Sequence, residues 1–251
     1  MTTPTPPSPA SAMVIVAHPD DAEFMVAGTV ARWCAEGAAV TYVIVTKGDK
    51  GSDDPAMTPS RLTAIREAEQ RAAGGILGVQ NFVFMGYEDG YLQHTLALRE
   101  DLTRLIRIHR PQVVVCFDPT NRFLGDNYVN HPDHRASGDA AIDAVFPSAR
   151  DRLTFPALLA DGLEPHKVAE LWLGGSAQPN VWVDIGETLA LKQQALAAHP
   201  SQLGPEIQEF ALEMGRGSAI GQPFEFAESF RRIVLETPPG EGGEAAKAGQ
   251  Q

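Results

Sequence analysis

The stretch Met13-Val14-Ile15-Val16-Ala17-His18-Pro19-Asp20-Asp21 decides the fold class. Its first five residues are apolar without interruption and rich in β-branched side chains, the composition of a strand buried on both faces. Its last four place an imidazole, a proline and two carboxylates where that strand ends. Asp21–Gly37 then has helical composition: Phe24, Ala27, Val30 and Ala31 recur at helical spacing, and Gly37 supplies a stop.

Outward from this unit the alternation continues. Val40–Val45 reads as a strand and Lys47–Pro59 as a polar loop. Arg61–Leu77 carries an apolar stripe of Leu62, Ile65, Ala68, Ala72 and Ile76 and reads as an amphipathic helix. Asn81–Met85 is a short strand, Gly86–Gly90 a turn, and Leu96–His109 a helix that ends before Pro111. Val113–Phe117 is a second very apolar strand, followed by the polar loop Asp118–Asp133 and a helix over Arg135–Val145. Beyond these, Glu170–Leu173 and Val181–Ile185 read as strands and Gly186–Ala198 as a helix. Strand and helix in turn predict right-handed crossovers and an α/β, Rossmann-like three-layer fold with a mostly parallel sheet. In such sheets a site lies at the carboxyl ends of the strands. The expected organisation is one domain over 13–236, between a disordered N-terminal segment 1–12 and a disordered C-terminal tail 237–251 that is rich in Pro, Gly, Glu and Ala.

The 251 residues, 43% hydrophobic and 21% charged, suffice for one sizeable core. A net charge of −12 and the lack of any Lys/Arg cluster argue against a nucleic-acid groove. Cys34 and Cys116 lie in apolar stretches without a CxxC and read as buried thiols. Met1–Ser11 has neither a basic start nor an apolar run, so it does not read as a signal peptide. No apolar stretch approaches the ~20 residues that span a bilayer. The expectation is a cytoplasmic protein.

Two polar tetrapeptides carry the chemistry. In His18-Pro19-Asp20-Asp21, proline stiffens the turn, and His and Asp are good ligands for a borderline divalent metal. The adjacent carboxylates cannot easily point the same way, so one can bind metal while the other faces water. Capping of the next helix by Asp20 or Asp21 is the alternative use. His131-Pro132-Asp133-His134 repeats the arrangement after Val113–Phe117, again with a helix cap at Asp133 as the alternative. Both follow buried strands, so a parallel sheet brings His18, Asp21 and His134 to one edge. Three protein ligands with a position left for water is the arrangement of catalytic rather than structural zinc. Asp118, at the end of its strand, is read either as a support for a metal-binding His or as a bystander. His199 is read either as a helix C-terminal histidine or as part of the site's rim.

With these motifs the chain resembles the PIG-L/LmbE family of zinc-dependent N-acetylglucosaminyl deacetylases. Supporting pieces are Thr46-Lys47-Gly48 with Gly51, Arg66-Glu67 with Glu69, Gly86-Tyr87-Glu88-Asp89-Gly90, Val183-Asp184-Ile185, and Lys192 with His199-Pro200-Ser201-Gln202. The resemblance implies one Zn²⁺ per chain held by His18, Asp21 and His134. It implies Asp20 as the general base for a metal-activated water, His131 as oxyanion or leaving-amine partner, and Asp133 as the carboxylate orienting His131. Arg66 and Asp89 fall where family members contact the sugar. A tyrosine that some members carry is Val129 here, with Tyr128 one residue earlier. The implied function is hydrolysis of an N-acetyl or other N-acyl group on a small acylated amino sugar or glycoside conjugate. The resemblance also allows a homo-oligomer. Alternatives are an amidase acting on a thiol conjugate, another metal-assisted hydrolysis such as phosphoester cleavage, and a non-catalytic metal- or sugar-binding homologue. Retention of Asp20, which zinc binding does not need, argues against the last.

Overall fold

A computed structural model describes residues 6–126 and 128–236. The elements, in chain order, are β1 (Ser11–Val16), α1 (Asp21–Ala35), β2 (Ala39–Thr46), α2 (Pro59–Ile76), β3 (Asn81–Tyr87), α3 (Leu96–His109) and β4 (Val113–Phe117). There follow β5 (Phe123–Leu124), β6 (Tyr128–Val129), α4 (Pro132–Asp143) with a π-helical turn over Ala144–Ser148, α5 (Pro156–Ala160), β7 (Glu170–Gly174) and β8 (Val181–Asp184). The last three are α6 (Leu189–Ala197), α7 (Ile207–Ser218) and β9 (Ala227–Val234).

Seven strands form one sheet in the order β3-β2-β1-β4-β7-β9-β8. The first five are parallel, and β9 joins β7 and β8 antiparallel to both. Strands β1 and β4 are neighbours, yet the chain leaves β1 towards β2 and β3 on one side and returns to β4 on the other. Here the strand order reverses and the crossovers on either side diverge, which opens a crevice at the carboxyl ends.

The apolar runs work as the pleat requires. Val14 and Val16 of β1 face one layer, with Trp33, Tyr42, Ile44, Trp172 and Phe230. Met13 and Ile15 face the other, with Val43, Leu98, Leu102, Ile106, Ala140 and Ala141. Helices α1 and α6 cover the first face, and α3 and α4 the second. Gly138 lets α4 close on the sheet: a Cβ there would lie 2.6 Å from the carbonyl oxygen of Phe117.

Several expectations change. The ordered chain starts earlier than residue 13: Ser11 and Ala12 belong to β1, and the Ala10 amide donates to Gln112 Oε1 at 2.9 Å. Edge pairing with the segment before β4 fixes this stretch. Residues 1–5 and the expected tail 237–251 lie outside the described residues. The Asp118–Asp133 loop contains the β5–β6 hairpin. Helix α4 begins at Pro132 rather than Arg135, because proline is well suited to a first helical turn. Helix α7 and strand β9 were not expected. Gly215 and Gly217 weaken the helical signal in α7, and buried Glu228 breaks the apolar pattern of β9.

Candidate active site

Both tetrapeptides lie at the crevice between β1 and β4. Neither aspartate of the first acts as a conventional helix cap. Asp20 occupies the cap position of α1 with φ +98° and makes no capping hydrogen bond. The Asp21 carboxylate instead turns back and accepts the His18 amide at 2.7 Å. A left-handed conformation is costly for a residue with a Cβ and persists where its surroundings impose it. Gln70 Oε1 accepts the Asp20 amide at 2.9 Å, and Arg66 donates to Asp20 Oδ2 at 3.1 Å and to the Pro19 carbonyl at 2.6 Å. Gly48 makes room for this clamp, since a Cβ there would lie 2.8 Å from the Pro19 ring and 3.0 Å from the Arg66 guanidinium.

Asp21 joins the two motifs. Its Oδ2 lies 3.3 Å from His18 Nδ1 and its Oδ1 3.1 Å from His134 Nε2. The opposite nitrogen of each ring faces a further group. His134 Nδ1 is 3.1 Å from Asn130 Oδ1, and His18 Nε2 lies 3.1 Å from Asp89 Oδ1 and 3.4 Å from Asp133 Oδ2. Phe117 stacks flat on His134, with centroids 4.2 Å apart. Among the described residues, two triplets gather donor atoms within 4.8 Å of one another: His18, His131 and His134, and His18, Asp89 and Asp133. His18 Nε2 is buried without a hydrogen bond of good geometry.

The electrostatics ask for a cation. Burial would lower the His18 pKa, but Asp21, Asp133 and Asp89 together push it up to about 12. Burial likewise opposes ionisation of Asp21, yet His134 and His18 hold it well below the usual carboxylate range. Asp89 and Asp133 stay low against their burial because His18 faces both. Carboxylates in excess of the imidazoles form a donor set that a divalent ion would complete. This is a candidate metal site of histidine and aspartate.

Asp20 behaves differently from Asp21. Burial, then the neighbouring Asp21, raise its pKa to about 7, against the pull of Arg66, His199 and His18. His131 caps α4: its Nδ1 accepts the Asp133 amide at 3.2 Å. That bond places the ring proton on Nε2 in the neutral form. Burial, and the His18 charge, hold the His131 pKa below its ordinary value.

The structure redistributes three implied roles. The Asp133 carboxylate does not orient His131; Oδ2 accepts the Gly90 amide at 2.7 Å and faces His18, while the backbone amide holds His131. Arg66 is only 5% exposed and is occupied with Pro19, Gly48 and Asp20, and buried Asp89 accepts the Lys50 amide at 3.0 Å and faces His18. As placed, both support the His18–Asp21 turn rather than offering an open face to a sugar. Asp118 is spent on Thr120, at 2.9 Å to its amide and 2.6 Å to its hydroxyl, so Asn130 is the group behind His134. Tyr128 and Val129 are exposed, with Tyr128 on the wall of a cavity beside His134.

A buried layer under Asp20 was not legible beforehand. Glu23 and His199 are both 0% exposed, with His199 Nε2 3.3 Å from Glu23 Oε2. Gln70 Nε2 donates to both Glu23 oxygens at 2.9 and 3.0 Å while its Oε1 holds Asp20. Ser201 bonds Glu69 through its amide at 2.9 Å and its hydroxyl at 2.6 Å, tying the segment after α6 to α2. His199 follows the C-terminus of α6, as one of its two readings had it, but it is buried rather than part of the rim. Buried Gln and Glu on one face of α2 and α1 were the only local signal.

An α/β sheet with imidazoles and carboxylates converging at its switch point is the arrangement of a metal-site hydrolase. The comparisons make the class specific. A family model described as PIG-L, GlcNAc-PI de-N-acetylase, matches residues 13–145, and the chain belongs to that family. It is 30% identical over 197 residues to a diacetylchitobiose deacetylase of Thermococcus kodakarensis, covering 78% of this chain and 72% of the relative. It is 30% identical over 210 residues to a probable N-acetyl-alpha-D-glucosaminyl L-malate deacetylase 2 of Bacillus anthracis, covering 82% and 87%. The solved N,N'-diacetylchitobiose deacetylase of Pyrococcus horikoshii, in complex with an inhibitor, superposes with a TM-score of 0.83 at 29% identity, covering 90% of this chain and 84% of that one. The chain is an N-deacetylase, a hydrolase of amide bonds. No helix among the described residues is long and apolar enough to cross a membrane.

Proposed function

We propose that the protein is a zinc-dependent deacetylase that removes the N-acetyl group of a small amino sugar or its glycoside conjugate. The observation that carries this reading is the division of labour between adjacent carboxylates: Asp21 lies between His18 and His134, while Asp20 is held apart by Gln70 and Arg66.

His18, Asp21 and His134 would hold the ion, and their mixture of imidazole and carboxylate suits zinc. When bound, zinc supplies Lewis acidity that polarises the amide carbonyl and makes water a better nucleophile at neutral pH. Asp20 accepts the proton from the attacking water, a task that favours a pKa near the working pH. Arg66 fixes which oxygen of Asp20 is free, because its guanidinium occupies Oδ2. His131, with its proton on Nε2, donates to the oxygen that gains charge as the carbonyl carbon becomes tetrahedral. Asp20 then returns a proton to the leaving nitrogen, so that amine and acetate separate. Behind these groups, Asp89 and Asp133 hold His18, and Asn130 holds His134.

The substrate class rests on the relatives, whose names place the acetyl group on glucosamine-derived compounds. Free Cys34 and buried, free Cys116 suit a reducing cytoplasm. The test is incubation of the zinc-loaded protein with N-acetylglucosamine, N,N'-diacetylchitobiose and N-acetylglucosaminyl malate, following free amine and acetate together. Equimolar release of both from at least one compound is expected. Release from none, with zinc bound, would refute the reading.

A further inference from the structure

A cavity of about 570 Å³ opens beside the two motifs. Asp21 and His134 form part of its wall, but Asp20 and His131 do not border it. Much of the remainder is Phe24, Met25, Phe117, Phe210 and Met214. Of its other buried charges, Asp118 is taken by Thr120, while Lys192 and Glu228 bond each other at 2.6 Å and Lys192 also donates to the Phe24 carbonyl at 2.8 Å. All three are consumed in these bonds and offer little to a ligand.

Three considerations assign an occupant. The volume is in the range that encloses a drug-sized ligand, far more than the methyl of an acetyl group fills. Asn130, Tyr128, Ser218 and Ser229 interrupt the wall, but its apolar bulk would leave most sugar hydroxyls short of partners, which is costly on burial. The third consideration rests on the amide hydrolysis proposed above. Asp20 and His131 exchange protons with water, oxygen and the leaving amine, so the amine and the sugar that bears it belong on their side. The substituent on the carbonyl carbon is then directed past Asp21 and His134, into the cavity.

We propose that this cavity is an acyl pocket, and that the enzyme takes, besides N-acetyl, amino sugars whose N-acyl group is apolar and longer. Each methylene buried there is worth about fourfold in kcat/KM, the ratio equivalent to the transfer of one CH₂ from water.

Two substrate series test this on the zinc-loaded enzyme. In the first, glucosamine carries N-acetyl, N-butyryl, N-hexanoyl or N-octanoyl groups. In the second, N-acetylglucosamine carries methyl, butyl or hexyl aglycones. The expected result is a kcat/KM that climbs with acyl length until the cavity is full and stays flat with aglycone length. Met214→Glu, which puts a charge on the wall, is expected to flatten the acyl dependence. Leu153→Ser, at a position 88% exposed and not on the wall, is expected to retain it. A rate that falls beyond acetyl, or a gain confined to the aglycone series, overturns the proposal. Calorimetric binding of octanoate against acetate gives a readout without turnover. Tighter octanoate binding that Met214→Glu abolishes supports the pocket even where no amide is cleaved, an outcome that would remove only the hydrolytic reading. Amide cleavage with no chain preference and equal binding of the two acids would remove only the pocket.

Discussion

Asp20 and Asp21 are the same amino acid side by side, yet their surroundings drive them to opposite ends of the carboxylate range. Two imidazoles face Asp21 and keep it ionised. Asp20 is buried beside that charge, and Arg66 offsets only part of the penalty. The positive φ of Asp20 makes the separation achievable, because it turns the two side chains to different directions. Gln70 is the residue that holds this backbone from below. Gln70→Leu is expected to lower kcat by about tenfold or more through misplacement of Asp20, with KM and zinc content little changed. Equal loss of zinc and activity would show a merely structural role. For His134→Ala the expectation is different: zinc stoichiometry falls well below one and activity disappears with it. Full zinc content in that variant, measured by atomic emission, would remove His134 from the ligand set. Much of this was legible in the sequence, because both tetrapeptides are local and each follows an apolar strand. The layer of Glu23, Gln70 and His199 was not, since its members lie on different elements and meet only after folding.

At the scale of elements, α1 is held at its start and at its middle. Its start is the Asp20 turn. Its middle is bound by Glu228 of β9, which accepts from the Gly28 amide at 3.0 Å, the Thr29 amide at 2.8 Å and the Thr29 hydroxyl at 2.6 Å. Lys192 of α6 completes the hub. A buried ion pair is weak evidence of net stabilisation, but removal of one partner strands the other charge. Glu228→Gln is therefore expected to destabilise the protein by about 3–5 kcal/mol, read as a lower midpoint in urea with an unchanged slope. A shift below about 0.5 kcal/mol would show that Lys192 finds another partner or loses its proton. The same hub explains why β9 escaped sequence reading. A strand with a buried Glu228 and with Arg231 and Arg232 beside Phe230 shows no clean alternation, and only the long-range partners on α1 and α6 justify the carboxylate. Strands β1, β2, β3 and β4 were plain because their own runs are mostly apolar, and most of their side chains pack into the two core layers.

In the molecule as a whole, the sheet order β3-β2-β1-β4-β7 places the ends of β1 and β4 together at the point where the crossovers diverge. Alternating elements foretold a mostly parallel sheet with both motifs at one edge, but not the strand order, and the antiparallel pairing of β9 with β7 and β8 was beyond the reach of a βα repeat. The crevice has two sides: a polar one built on Asp20, Arg66, Gln70 and His131, and the apolar cavity walled by α1, β4 and α7. On the proposed reading a metal and a base would stand between them, so removal of the metal and removal of the base should have separable effects. Chelation is expected to abolish turnover, and added zinc to restore it.

The most direct measurement of the central claim compares Asp20→Asn with the unaltered protein for bound zinc and for release of free amine from the best substrate. One zinc per chain in both proteins is predicted, with kcat of the variant reduced by about 10²–10⁴. Loss of zinc in the variant would make Asp20 a ligand rather than the base, and turnover close to that of the unaltered protein would show that another group takes the proton; either result contradicts the account.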